Sequence, residues 1–168
     1  MTYGIPSSQP FDPHAYELAD ELARLQRLAP KLNATDRDLS DFGKAGAKLF
    51  YYHGLANPLI LEGRARQYYD EVFATLGKDR VDEFVRFIMV PGHGHCWEQP
   101  GRVADDFNPL VVVDTWVESG QVPDHVIAVR RDRAGEIIRS RRLCPYPKVA
   151  RFQGGDGELA DNYRCAAP

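Results

Sequence analysis

One stretch constrains this chain more than any other: Phe84-Val85-Arg86-Phe87-Ile88-Met89-Val90, followed at once by Pro91-Gly92-His93-Gly94-His95-Cys96. The first part is almost wholly apolar, and Pro-Gly cannot continue a strand, so a buried strand delivers a histidine-bearing loop. A strand buried on both faces belongs to a parallel sheet covered by helices, and in such sheets ligands bind beyond the carboxyl ends of the strands. His93 and His95 therefore fall where proton-transfer chemistry is usually placed. Two other readings of the tripeptide stand beside this one. It is a tight turn with solvated imidazoles, or it is part of a zinc site made by His93, His95 and Cys96, although the usual ligand spacing and a second ligand pair are missing.

The surrounding periodicity supplies the rest of an α/β unit. Lys48 to His53 reads as a short strand closing on Gly54, followed by the turn-forming Asn57-Pro58. Ala65, Tyr68, Tyr69, Val72, Phe73 and Leu76 recur at helical spacing over Glu62–Leu76, with Gly77 as the stop. A strand over Glu83–Val90 then completes a strand–helix–strand crossover, placing residues 54–58 and 91–98 on the same sheet edge. The tyrosines Tyr51, Tyr52, Tyr68 and Tyr69 read as core and sheet cover.

Upstream, residues 1 to about 12 form an extended or disordered lead-in, and residues 13–168 form one catalytic-type domain. A helix is expected from Pro13 to Leu28, ended by Pro30, and a shorter one over Leu39–Lys44 behind a Thr35–Asp38 cap. Downstream, a helix over Asn108–Ser119 should bury Leu110, Val113, Trp116 and Val117 and stop at Gly120. His125–Arg131 and Glu136–Arg142 read as a β-hairpin whose arginines form a solvated face, and the Pro-punctuated tail from Leu143 as irregular chain.

A net charge of −3 proposes neither nucleic acid nor an anionic membrane as partner. No run of apolar residues is long enough to span a bilayer, and the N-terminus shows no secretory signal. The cysteines are Cys96, Cys144 and Cys165, an odd count. A bridge between Cys144 and Cys165 would hold down a tail with little apolar content and argues for an oxidising compartment; two buried free thiols are the alternative.

A sheet edge with residue 57 after one strand and His95 after the next looks like the back half of an α/β-hydrolase site. The nucleophile of such a site is missing: Ser7, Ser8, Ser40, Ser119 and Ser140 do not sit between glycines after a strand. The strings Lys48-Leu49-Phe50-Tyr51-Tyr52-His53-Gly54-Leu55-Ala56-Asn57, Val90-Pro91-Gly92-His93-Gly94-His95-Cys96, Trp116-Val117-Glu118-Ser119-Gly120 and Arg142-Leu143-Cys144-Pro145-Tyr146-Pro147 closely resemble the C-terminal part of the tannase and feruloyl esterase family. The resemblance runs from about Phe11 to Cys165.

That resemblance implies a secreted serine esterase acting on aromatic acid esters, galloyl or feruloyl, built on an α/β-hydrolase fold. It implies that His95 matches the catalytic histidine, that Asn57 stands at the position of the catalytic acid, and that Cys144 and Cys165 match a disulfide pair. Cys96 matches a cysteine whose partner lies beside the family's serine. The nucleophile half, oxyanion hole and lid with its calcium site have no counterpart in these residues, so no cofactor is expected. Asn57 should hold the imidazole in the wrong tautomer, unless Asp105 or Asp106 reaches His95 instead. A low-pKa thiol at Cys96 acting with His95 is a weaker alternative. The expected partners are an aromatic ester and a polypeptide carrying the nucleophile half, docked on an exposed sheet edge.

Overall fold

The computed structural model describes residues 12, 14, 17–95 and 103–168, in two compact units, Met1–Asp36 and Arg37–Pro168. The expected lead-in lies almost entirely outside the described residues, as does Cys96. In the first unit, helix α1 spans Leu18–Leu32. It neither starts at Pro13 nor ends at Pro30: Glu17 is extended (φ −99°, ψ 109°), and Pro30 lies inside the last turn. Proline there forfeits one backbone bond with only two residues to follow, and the Asn33 amide closes the helix on the Ala29 carbonyl at 2.8 Å.

The second unit opens with α2, Ser40–Lys44, whose Ser40 amide donates to Asp38 Oδ1 at 3.0 Å. Strand β1, Leu49–Gly54, then leads through α3, Glu62–Leu76, to α4, Lys78–Phe84, and strand β2, Val85–Val90. The expected strand from Glu83 thus begins two residues later, behind a seven-residue helix that sequence periodicity does not reveal. Val81 and Phe84, three apart, are both buried, and Arg80–Glu83 and Lys78–Asp82 ion pairs line the exposed side.

β1 and β2 pair in parallel, from Leu49↔Val85 to Gly54↔Val90. β2 is the axis of the core, with Phe87, Ile88 and Val90 fully buried. Tyr51 stacks on Phe87 at 4.7 Å, and Tyr69 and Tyr146 also pack on that ring. Burial raises the pKa of the Tyr69 phenol and lowers that of the Arg86 guanidinium beside it. The outer edge of β2 is partly closed, since Ile88 bridges Pro145 and the Tyr146 amide donates to the Phe87 carbonyl at 2.8 Å.

Helix α5, Pro109–Ser119, is capped by Asn108 Oδ1, which accepts from the Leu110 and Val111 amides, and ends at Gly120 in the left-handed region (φ 68°). Its buried stripe differs from the expected one. Trp116 is buried, but Leu110 is 78% and Val117 53% exposed. The helix turns Val112 and Trp116, four apart, inward, and Val112 packs on the cluster of Ile88, Val90, Val126, Ala128 and Leu143.

The hairpin is as expected, with β3 Val126–Arg131 antiparallel to β4 Ile137–Leu143 around a turn in which Asp132 Oδ1 accepts from the Ala134 and Glu136 amides. The tail is not irregular. Strands β5, Val149–Phe152, and β6, Tyr163–Ala166, pair antiparallel, and a disulfide joins Cys144 to Cys165 with Cα atoms 5.5 Å apart. Backbone pairing between strands too short to show a period, together with a cross-link, takes the place of apolar burial here.

Candidate active site

The register of β1 and β2 ends both strands at the same level, Gly54 beside Val90. The loops that follow are bonded to each other. The Leu55 amide donates to the Val90 carbonyl at 3.0 Å, and the Ala56 amide to the His93 carbonyl at 3.0 Å. Glycine at 54 is required for this approach: a Cβ there would lie 2.3 Å from the His93 carbonyl oxygen and 2.8 Å from that of Gly94. Gly92 turns the second loop with φ +77° against Val103, whose Cγ1 would be 2.7 Å from a Cβ at 92.

On this rim the Asn57 and His95 side chains meet, Nδ2 to Nδ1, at 3.2 Å. Asn57 has a defined orientation, because its Oδ1 accepts from the amides of Leu59 and Ile60, both at 3.0 Å, in an Asx-type turn. The nitrogen of the amide therefore faces the imidazole. An amide N–H can only donate, so His95 Nδ1 must present its lone pair and carry its ring proton on Nε2. A carboxylate in place of the amide would accept at both ends and reverse that tautomer. Beneath the loop, His53 Nε2 meets the Ile60 carbonyl at 2.9 Å, and His53 is 9% exposed.

The other carboxylates go elsewhere. Asp105 Oδ2 lies 2.8 Å from Nδ1 of His93, not His95, and those two side chains are 22% and 17% exposed for His93 and Asp105. Asp106 bridges Val129 through its backbone and meets Arg131 Nε at 3.5 Å. The rescue of His95 by Asp105 or Asp106 is thereby overturned: Asp105 pairs with His93, twelve residues away, and Asp106 with Arg131. Neither histidine is a solvated turn residue, since His93 is engaged by a carboxylate and edge-on to Tyr52 at 6.5 Å, and His95 by an amide. Among the described residues no three His, Cys, Asp or Glu side chains are grouped to hold a metal. Cys96, the third member of the zinc reading and the thiol beside His95, lies outside them.

The turn at Asn57-Pro58 is as the sequence indicates; what the dipeptide does not specify is that the Asn57 side-chain oxygen closes it on two amides. A cavity of about 590 Å³ lies next to the rim, touching its first residues Leu55 and Pro91 and extending along Met89, Leu143, Tyr146 and Val149. Asn57, His93 and His95 do not line it.

Parallel strands, a covering helix and an imidazole rim at the strands' carboxyl ends define an α/β protein with two histidines at one sheet edge. The chain belongs to the tannase and feruloyl esterase family, whose signature it matches over residues 4–166. It is 29% identical over 95% of its length to Probable feruloyl esterase B-1 of Aspergillus terreus, covering 33% of that protein. It is 36% identical over 80% of its length to mono(2-hydroxyethyl) terephthalate hydrolase of Piscinibacter sakaiensis, covering 22% of it. The crystal structure of feruloyl esterase B from Aspergillus oryzae superposes with a TM-score of 0.75 at 26% identity, over 93% of this chain and 34% of that one. The chain thus spans about a third or less of the relatives it matches.

Proposed function

We propose that this chain is the histidine-bearing C-terminal portion of an α/β-hydrolase catalytic domain, serving a serine ester hydrolase of the tannase and feruloyl esterase type that acts on aromatic acyl esters. His95 stands at the general-base position and Asn57 at that of the orienting acid. The observation that carries this reading is the Asn57–His95 contact across the ends of two adjacent parallel strands. In a completed site a serine hydroxyl gives its proton to the imidazole while attacking the ester carbonyl, and the imidazolium returns that proton to the leaving alcohol.

On its own the chain is inactive in this chemistry. Ser40 opens α2, Ser119 closes α5 and Ser140 lies within β4, so no described serine sits on a strand-to-helix turn beside the rim. Asn57 adds a second defect, the Nε2–H tautomer, which costs about four orders of magnitude in a serine protease triad. Hydrolysis of methyl gallate or methyl ferulate by the purified chain is expected to equal that of a His95→Ala variant. A rate that disappears in the variant would overturn the inactivity.

A second reading makes the chain an assembly module that receives the nucleophile from another polypeptide. It is favoured by β1, whose outer edge pairs with no described strand while β2 is covered by Pro145 and Tyr146. Size-exclusion chromatography should then give a discrete complex with the nucleophile half of a relative; a monomer indifferent to it would remove this reading. The Cys144–Cys165 disulfide supports a secreted or periplasmic setting. The proposal requires no cofactor, nucleic acid or membrane.

A further inference from the structure

We propose that the base-competent imidazole of this rim is His93, oriented by Asp105, and that the rim carries two histidines in opposite tautomers. The inference deepens the reading above, resting on it only for the reaction being ester hydrolysis. An ionised carboxylate has no hydrogen to give, so in the 2.8 Å contact with Asp105 Oδ2 the His93 Nδ1 must be the donor. Its Nε2 then holds the lone pair, and among the described residues nothing hydrogen-bonds to it. His95 is the mirror case: its Nδ1 receives the Asn57 amide hydrogen, leaving the ring proton on Nε2. The arrangement in which a carboxylate holds Nδ1–H and frees Nε2 for a substrate proton is thus present on this rim, two residues before the expected position.

The dyad is also rigidly placed. The His93 carbonyl receives the Ala56 amide at 3.0 Å, its own amide donates to the Val90 carbonyl at 3.3 Å, and Gly54 lies against its backbone. Asp105 is anchored from the other side, because its neighbour Asp106 exchanges two backbone bonds with Val129 of β3, at 3.1 and 2.9 Å. His93 and Asp105 are both largely buried yet not sealed, which strengthens their contact and leaves a path for a small reactant.

The chemistry open to such a pair without a serine is general-base attack of water on an ester with a good leaving group. His93 Nε2 takes a proton from water as the water oxygen bonds to the acyl carbon; the acyl C–O bond breaks and the aryl oxide leaves with its electron pair. The imidazolium and the new carboxylic acid each release a proton to solvent, returning His93 to its neutral form. The substrate class is an activated aryl ester, and the reaction needs no other reactant.

Two measurements on the full chain test this. With p-nitrophenyl acetate, a rate above the buffer blank is expected, falling to the blank in His93→Gln and by about tenfold or more in Asp105→Asn. No rate above the blank, or a rate kept by His93→Gln, would overturn the role. Independently of turnover, long-range proton–nitrogen NMR of the folded ¹⁵N-labelled chain at a pH where the imidazoles are neutral should find the bare nitrogen at Nε2 in His93 and at Nδ1 in His95. Asp105→Asn should mix the His93 tautomers and leave those of His95 alone. Finding His93 protonated on Nε2 would refute the proposal. Failure of the proposed function is read separately, on gallate and ferulate esters in a chain joined to its nucleophile half.

Discussion

The rim at the ends of β1 and β2 and the tail from Leu143 to Ala166 are held by different physics. At the rim, backbone meets backbone: a glycine lets two loops close to hydrogen-bonding distance, and the functional side chains follow from that approach. In the tail, two four-residue strands with largely exposed side chains are fastened by a disulfide and by the Arg139–Glu158 ion pair. The first region is fixed by what cannot fit, the second by what is tied. A site that must align two ring nitrogens needs the former, whereas a closing segment needs only to stay down.

The largest effect expected is at the rim and comes from chemistry rather than packing. Asn57→Asp keeps the shape and the two accepted amide bonds while giving His95 an acceptor. In a chain joined to the nucleophile half of a relative, it should raise ester hydrolysis by up to about four orders of magnitude over the same assembly with Asn57. An unchanged rate would show that the partner side chain does not control the tautomer.

Gly54→Ala comes next. Its Cβ would collide with fixed carbonyl oxygens, not with a flexible side-chain end, so a loss of about 3 kcal/mol in urea unfolding is expected, with the tail strands intact in amide exchange. Reducing Cys144–Cys165 should do the converse. It releases a span of 21 residues, costs about 3 kcal/mol, and speeds exchange in β5 and β6 while the β1–β2 amides keep their protection. Loss of protection at the rim in that experiment would mean that the two regions are one cooperative unit.

The smallest effect is the pH response of the tail. The hydrogen bond from Arg139 holds the exposed Glu158 carboxyl below its ordinary value of 4.5. A depressed carboxyl pKa contributes stability that is present above that ordinary value and lost as pH falls through the lowered one. Because the pair is exposed, the loss should be slight and screened by salt. Glu158→Gln should remove it, which a comparison of thermal unfolding at pH 6 and pH 3 would detect.

Much of the rim was legible because its signals are local. The period of α3 and the apolar run of β2 give a parallel pair, and a parallel pair puts residue 57 and residue 95 at one end without any further information. What was not legible depends on returns through space. Asp105 reaches His93 across twelve residues, and no spacing rule distinguishes that from a contact with His95. α4 is only seven residues long between a glycine and a strand, too short to show a clear period. The stripe of α5 was misassigned because Leu110 and Val117 are as apolar as Val112, so composition cannot say which edge of the helix meets the core. The four-residue strands β5 and β6 likewise offer too few alternations to separate from loop.

The Asx turn at Asn57 has an evolutionary corollary. Because the loop grips the side chain by its oxygen alone, replacing one nitrogen with oxygen changes nothing the backbone can feel, and asparagine and aspartate codons differ by a single base. The scaffold therefore holds the geometry for an acid it does not possess, and a gene encoding it stands one point mutation from a carboxylate at position 57.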